Sequence, residues 1–193
     1  MLRRTFAALA MAVALVPAAS AQEWIEFVER TDRFSINFPG QPTVRDITYA
    51  PQRGPTKPGR EYAVQDGPRR YVVTVVDLSK GSTIEVMGSI AWEAWNFRKR
   101  GGVVTYDAHA QVDRIQGHAL HITNPDKTVS FVGIYFHAKR LYVLEARVPP
   151  ESPGAVHFQQ SLMILDADGQ RIRYEQDDDG VRTTRIMDLT GIC

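Results

Sequence analysis

Apolar and polar residues alternate over most of this chain, and a period of two predicts strands with one buried and one polar face. Trp24, Ile25, Phe27 and Val28 open the first strand. Phe34, Ile36 and Phe38 alternate with Ser35 and Asn37 in a second, which Pro39-Gly40 ends, and Val44 to Tyr49 reads as a third. Glu61 to Gln65 and Arg69 to Leu78 flank Asp66-Gly67, a hairpin signal that Pro68 lengthens. Tyr71, Val72, Val73, Val75 and Val76 are apolar on both faces, so this strand is expected at the centre of a sheet covered on one side by a helix. Four more strands follow: Val103 to Asp113, Ala119 to Thr123, Thr128 to His137 and Leu141 to Val148. Gln116-Gly117, Asn124-Pro125-Asp126 and Ala138-Lys139-Arg140 separate them, and such short connections imply an antiparallel meander.

Between Ser82 and Gly102 the pattern becomes helical. Ser82 and Glu85 have capping-box spacing, so each side chain can satisfy an otherwise orphaned N–H. Ile84, Met87, Ala91, Ala94 and Trp95 form the stripe expected to be buried, with Glu85, Glu93, Asn96 and Lys99 towards the other face. Arg98, Lys99 and Arg100 suit the negative end of the helix dipole, and Gly101 suits a left-handed cap. A shorter helix is predicted with Ser152 as N-cap, Pro153 at its first position, and Ala155, Phe158, Leu162 and Leu165 on its apolar face. Arg171 to Gln176 and Val181 to Met187 flank a polar Asp177-Asp178-Asp179-Gly180 turn. The fold class expected is α+β: a mainly antiparallel β-sheet covered by one long and one short helix, with a C-terminal β-hairpin.

Residues 1–21 are expected to be a cleaved signal peptide. Arg3 and Arg4 precede an apolar run from Phe6 to Val16 that is too short to span a bilayer, and Ala19-Ser20-Ala21 suits cleavage between Ala21 and Gln22. Arg3-Arg4-Thr5-Phe6 partly matches a twin-arginine signal, which leaves the general and the twin-arginine export routes both open. The predicted organisation is then residues 22–166 as one domain and residues 167–193 as a polar hairpin and tail. Removing 21 of 193 residues leaves 172, with 21 basic and 22 acidic side chains. That balance gives no electrostatic case for nucleic acid, and no transmembrane segment is expected in the mature chain. Its expected location is the periplasm or the exterior. Cys193, the single cysteine, can form no internal disulfide and does not follow the signal as a lipoprotein cysteine would.

Candidate chemistry is sparse. His118 and His121 are three apart, which on a strand puts them on opposite faces, so with His109, His137 and His157 they read as scattered histidines. Glu175, Asp177, Asp179 and Gly180 mimic the start of a calcium loop, but Ile186 stands where its bidentate Glu is needed. Nucleophile-elbow, zinc-protease and phosphate-loop motifs do not occur, and no catalytic residue, metal or cofactor is expected. The Pro-rich stretch from Ala50 to Gly59 reads as a mobile surface loop, and Arg53 and Lys57 within it, with Arg60, are the candidate partner contacts. If they converged with Arg69, Arg70 and Arg98 to Arg100 they would fit an anionic surface partner.

The order of strands, long helix, meander and short helix resembles the PsbP-like fold, shared by extrinsic photosystem proteins, Ran-binding relatives and many secreted bacterial proteins. Trp24, the Phe34-Ser35-Ile36-Asn37-Phe38-Pro39-Gly40 run with Pro42, and Arg140-Leu141-Tyr142 ahead of Phe158 carry the resemblance over about residues 23–165. It implies an accessory or binding module working through surface contacts with an unknown protein, and it supplies no catalytic residue. Two alternatives are a carrier of a small apolar ligand and an enzyme with a site assembled from distant residues. A closed cavity lined by Trp92, Tyr106, Phe131 and Tyr135 would mark the carrier. Clustered His and Asp in a cleft would mark the enzyme, and an exposed apolar patch the interaction module.

Overall fold

The computed structural model of the protein describes residues 24–176, 179 and 182–186. The expected signal peptide with its predicted Ala21–Gln22 cleavage site, Cys193, and Asp177, Asp178 and Gly180 of the polar turn lie outside the described residues. The chain runs β1 (Ile25–Glu29), β2 (Phe34–Phe38), β3 (Thr43–Tyr49), β4 (Lys57–Asp66), β5 (Arg69–Asp77), α1 (Thr83–Arg98), β6 (Val103–Val112), β7 (Ile115–Thr123), β8 (Val129–His137) and β9 (Arg140–Val148). It closes with α2 (Gly154–Gln160), β10 (Met163–Ile164), β11 (Ile172–Gln176) and β12 (Arg182–Ile186). Seven strands form one antiparallel sheet in the order β3-β4-β5-β9-β8-β7-β6, so β5 and β9 lie inside it. The expected α+β class, with two helices and a C-terminal hairpin, is the class observed.

Two cores follow from the two-faced apolar character of β5. Tyr71, Val73 and Val75 face a layer made by the β1-β2-β10 sheet and α2, where Phe34, Ile36, Phe38, Phe158 and Ile164 are fully buried. Val76 faces the other way, joining Leu120, Ile122, Val132, Ile134 and Leu141 beneath Ala94 and Phe97 of α1. The domain is thus three layers: small sheet with α2, large sheet, and α1. Trp24 closes one edge of the first core, its ring set edge-on to Tyr71 and His157. The C-terminal hairpin also reaches that core through Ile172, and Arg171 forks onto Asp113 with two bonds of 2.9 Å.

The helix ends match the sequence reading, but its buried face does not. Ser82 caps α1, and Glu85 returns a 2.6 Å bond to the Ser82 N–H. Phe97, Ala94, Glu93 and Ser89 point inward, whereas Met87 is 80% exposed, Trp95 43% exposed, and Ala91 is exposed too. The expected stripe through Met87, Ala91 and Trp95 is the outer one, and Glu93 lies on the buried side. Val86, Ile90, Ala94 and Phe97 make a second apolar stripe at equally good helical spacing, so periodicity did not decide between the two. One turn and the bounds of α2 also differ from the reading. The β6–β7 hairpin turns at Asp113 and Arg114, with φ of 47° and 62°, and not at Gln116-Gly117. Gly117 is a strand residue because the Tyr135 ring fills the place of its missing side chain: a Cβ there would lie 2.3 Å from Tyr135 Cδ1. Pro153, without a side-chain cap bond, begins α2 in place of Ser152, and α2 stops at Gln160, short of Leu162 and Leu165.

Candidate functional site

α1 is fastened at both ends, and these fastenings form the surface around it. At its start, Lys57 Nζ lies 3.1 Å from Glu85 Oε1, with both side chains buried. Trp92 Nε1 donates to the Ala50 carbonyl at 3.2 Å, and a Cβ on Gly54 would overlap Glu85. The stretch expected as a mobile contact loop therefore packs on the first turns of α1, and its last residues, from Lys57, are already strand β4. At the far end, Arg98 forks onto Asp107 of β6 with bonds of 2.7 and 2.8 Å, and His118 Nε2 of β7 lies 2.6 Å from the same carboxylate. Arg100 donates to Glu145 of β9 at 2.9 Å.

Arg98, His118 and Asp107 tie the helix to the outer hairpin, and this explains the His118–Asp107 pair. The Arg98 hydrogen bonds, against burial and with help from His118, hold the Asp107 pKa down to about 2 from its ordinary 3.8. A depressed carboxyl contributes stability that is complete above its unfolded pKa and is lost as pH falls through the folded one. Thermal melts should therefore show the wild-type advantage over Asp107→Asn shrinking between about pH 4 and about pH 2. An advantage that stayed constant through that window would rule out this origin.

Two concavities flank the helix. On its outer side, Met87, Ile90 and Ala91 face His109, Gln116 and His118 of the β6–β7 hairpin across a groove of about 620 Å³. Beside its C-terminal half, a cleft of about 300 Å³ opens on the large sheet, with Val72, Val76 and Val143 among its lining. Glu61, Glu145, Arg70, Arg100 and Arg147 also line it, as do Tyr49 and Glu93. Arg70 is paired with Glu61 at 2.9 Å and Arg147 with Asp126 at 2.6 Å. The Tyr49 hydroxyl is buried against the Glu93 carboxylate without good hydrogen-bond geometry, and burial, then the charge and approach of Glu93, raise its pKa well above the usual phenol value.

The predicted contact residues do not converge. Arg53 is exposed, Lys57 is 5% exposed and committed to Glu85, and Arg60 is bound to Asp32 through bonds of 2.6 and 2.7 Å. Lys57 and Arg60 are an odd number of residues apart on one strand and so lie on opposite faces of the sheet. Arg69, Arg98 and Arg100 each have an acidic partner as well. The fold thus disperses the basic groups and leaves the anionic-partner reading without its patch. The four aromatics proposed for a carrier cavity are separated too. Trp92 stacks on Trp95 on the α1 side. Tyr106, His121 and Phe131 form a ladder across three strands on the other face, and Tyr135 is buried in the core there. His118 and His121 point to opposite faces, as their spacing requires. Among the described residues no group of three or more His, Cys, Asp or Glu is placed to hold a metal ion. The residues that sequence reasoning passed over are Tyr49 and Glu93; the signal for Glu93 was its place on the Val86–Ile90–Ala94–Phe97 stripe.

Among solved structures, that of a cyanobacterial PsbP (CyanoP) from Synechocystis sp. PCC 6803 is similar, at 9% identity and a TM-score of 0.49, over 77% of this chain and 96% of that one. No protein-family model matches the chain, and no curated protein matches it by sequence. No helix among the described residues is long and apolar enough to cross a membrane.

Proposed function

We propose that this chain is an exported, non-catalytic binding module, acting in the periplasm or outside the cell, whose α1 surface takes an apolar segment of a protein partner. The outer side of α1 carries the reading: Met87, 80% exposed, and Ala91 line an open groove, and Trp95, 43% exposed, continues the same helical stripe one turn on. Exposed apolar surface of this kind is typical of contact sites. The fold does not use it, because the opposite stripe of α1 supplies the packing. Export rests on Arg3, Arg4, the Phe6 to Val16 run and Ala19-Ser20-Ala21.

The test is photo-crosslinking in cells producing the full chain, with benzoylphenylalanine at Met87 or, as a control, at Arg45 on the edge strand β3. A discrete adduct is expected from position 87 alone, abolished by Trp95→Glu in a variant that still melts cooperatively from a folded state, and the periplasmic protein should begin at Gln22. Equal adducts from both positions, or an adduct indifferent to Trp95→Glu, would dispose of the contact face. Recovery of Met1 from the periplasm would dispose of cleavage.

A further inference from the structure

The cleft beside the C-terminal half of α1 is unevenly supplied with charge. Its three arginines are matched: Arg70 with Glu61, Arg100 with Glu145, Arg147 with Asp126. Glu61 also takes Arg45 at 3.0 Å, and Glu145 accepts from Ser130 Oγ at 2.8 Å. Glu93 stands apart. It is 9% exposed, it lines the cleft, and among the described residues no Lys, Arg or His lies within salt-bridge distance of it. Its Oε1 receives the Asn96 amide at 3.2 Å, a neutral donor on the next turn of the same helix. Across from it, the buried Tyr49 hydroxyl approaches the Glu93 carboxylate without reaching good hydrogen-bond geometry. A carboxylate so far removed from water is costly unless a cation offsets it, and a neutral phenol set against it at poor geometry does not supply that charge.

The geometry points to a small organic cation as the missing group: we infer that the cleft binds a protonated amine on an apolar body, with Glu93 as counter-ion. An ammonium brings three donors and no acceptor, so one such group can satisfy both the free lone pairs of Glu93 and the Tyr49 oxygen. Val72, Val76 and Val143 supply the apolar contact for the remainder. A volume of about 300 Å³ sits at the small end of ligand sites, which selects a compact molecule. A free carboxylate would meet Glu93 head-on, and the arginines that might receive it are already paired. An alcohol would fill the space and hydrogen-bond, yet leave the charge uncompensated. The site is separate from the outer groove of α1, so either can fail without the other.

Titration of the ¹⁵N-labelled protein at neutral pH with 2-phenylethylamine, 2-phenylethanol and phenylacetate tests this directly. The amine should give saturable amide shifts at Tyr49, Thr74 and Phe97, with affinity at least about tenfold above the other two, as a charge-assisted hydrogen bond implies. Glu93→Gln should remove about that factor for the amine and leave the alcohol unchanged. Amine binding no tighter than alcohol binding overturns the inference, as does equal amine affinity in Glu93→Gln. Should the variant fail to fold, the three-ligand comparison on the wild-type protein still decides.

Discussion

Phe97→Ala is expected to destabilise the protein by about 3–5 kcal/mol, while Trp95→Ala, two positions away and larger, should lose only about 1 kcal/mol. Phe97 is 2% exposed and sits over Leu120, Ile122, Val132 and Ile134, where its removal opens a cavity between α1 and the sheet. That cavity cannot readily close, because the capping box, the Lys57–Glu85 pair and the Arg98–Asp107 fork hold the helix at both ends. Trp95 instead lies on the outside, stacked on Trp92 at 4.8 Å with Lys99 Nζ 3.7 Å from its ring. Both contacts are with the same helix and near water, where such interactions are each worth about 0.5–1 kcal/mol. Urea melts of the two variants provide the measurement. Equal losses, or a greater loss for Trp95→Ala, would mean that the helix faces the sheet through its other stripe.

That contrast also shows where sequence reasoning was adequate and where it stopped. Strand existence was legible because a half-buried strand needs strict alternation, and the all-apolar run of β5 announced burial on both faces. The ends of α1 were legible because a capping box and a glycine act locally: Ser82 and Glu85 bond each other, and Gly101 takes φ of 85°. The phase of α1 was not legible. Apolar residues occupy two stripes of that helix, and only the sheet below decides which is buried. Gly117 failed for a similar reason, since a glycine placed for a turn and one placed beneath a tyrosine ring look identical in sequence.

The candidate contact surfaces were less legible than the fold. Arg53, Lys57 and Arg60 attracted attention as positive charges in a proline-rich stretch, yet two of the three pair with acids far away in sequence. Glu93 attracted none, because a glutamate on a helix is ordinarily a solvated residue. Its interest lies in what fails to reach it, and that is a property of the assembled sheet. Met87 and Trp95 were noticed for being apolar and assigned to the core, whereas the fold leaves both exposed.

Asp32→Ala should be the most damaging single change outside the apolar cores, with a loss of about 3 kcal/mol. Asp32 sits in the β1–β2 turn at 8% exposure, and its carboxylate accepts 2.7 and 2.6 Å bonds from Arg60 and a 2.5 Å bond from the Tyr62 hydroxyl. Its backbone carbonyl accepts from the Tyr142 hydroxyl at 3.0 Å. One residue thereby joins the small sheet to β4 and β9 of the large one. Alanine would leave the Tyr62 hydroxyl and the inner side of Arg60 without an acceptor, and a stranded partner is what makes breaking a buried pair expensive. Arg60 is 34% exposed along its side chain and can turn partly to water, which keeps the figure at the low end of the range for buried pairs. Arg60→Ala should be milder, since Asp32 keeps Tyr62. Adding Arg60→Ala to Asp32→Ala should then lose less than the two singles combined, because the second change removes a group already stranded. Strictly additive losses in urea melts would mean that Asp32 and Arg60 act independently, and that the joint between the two sheets lies in their apolar contact alone.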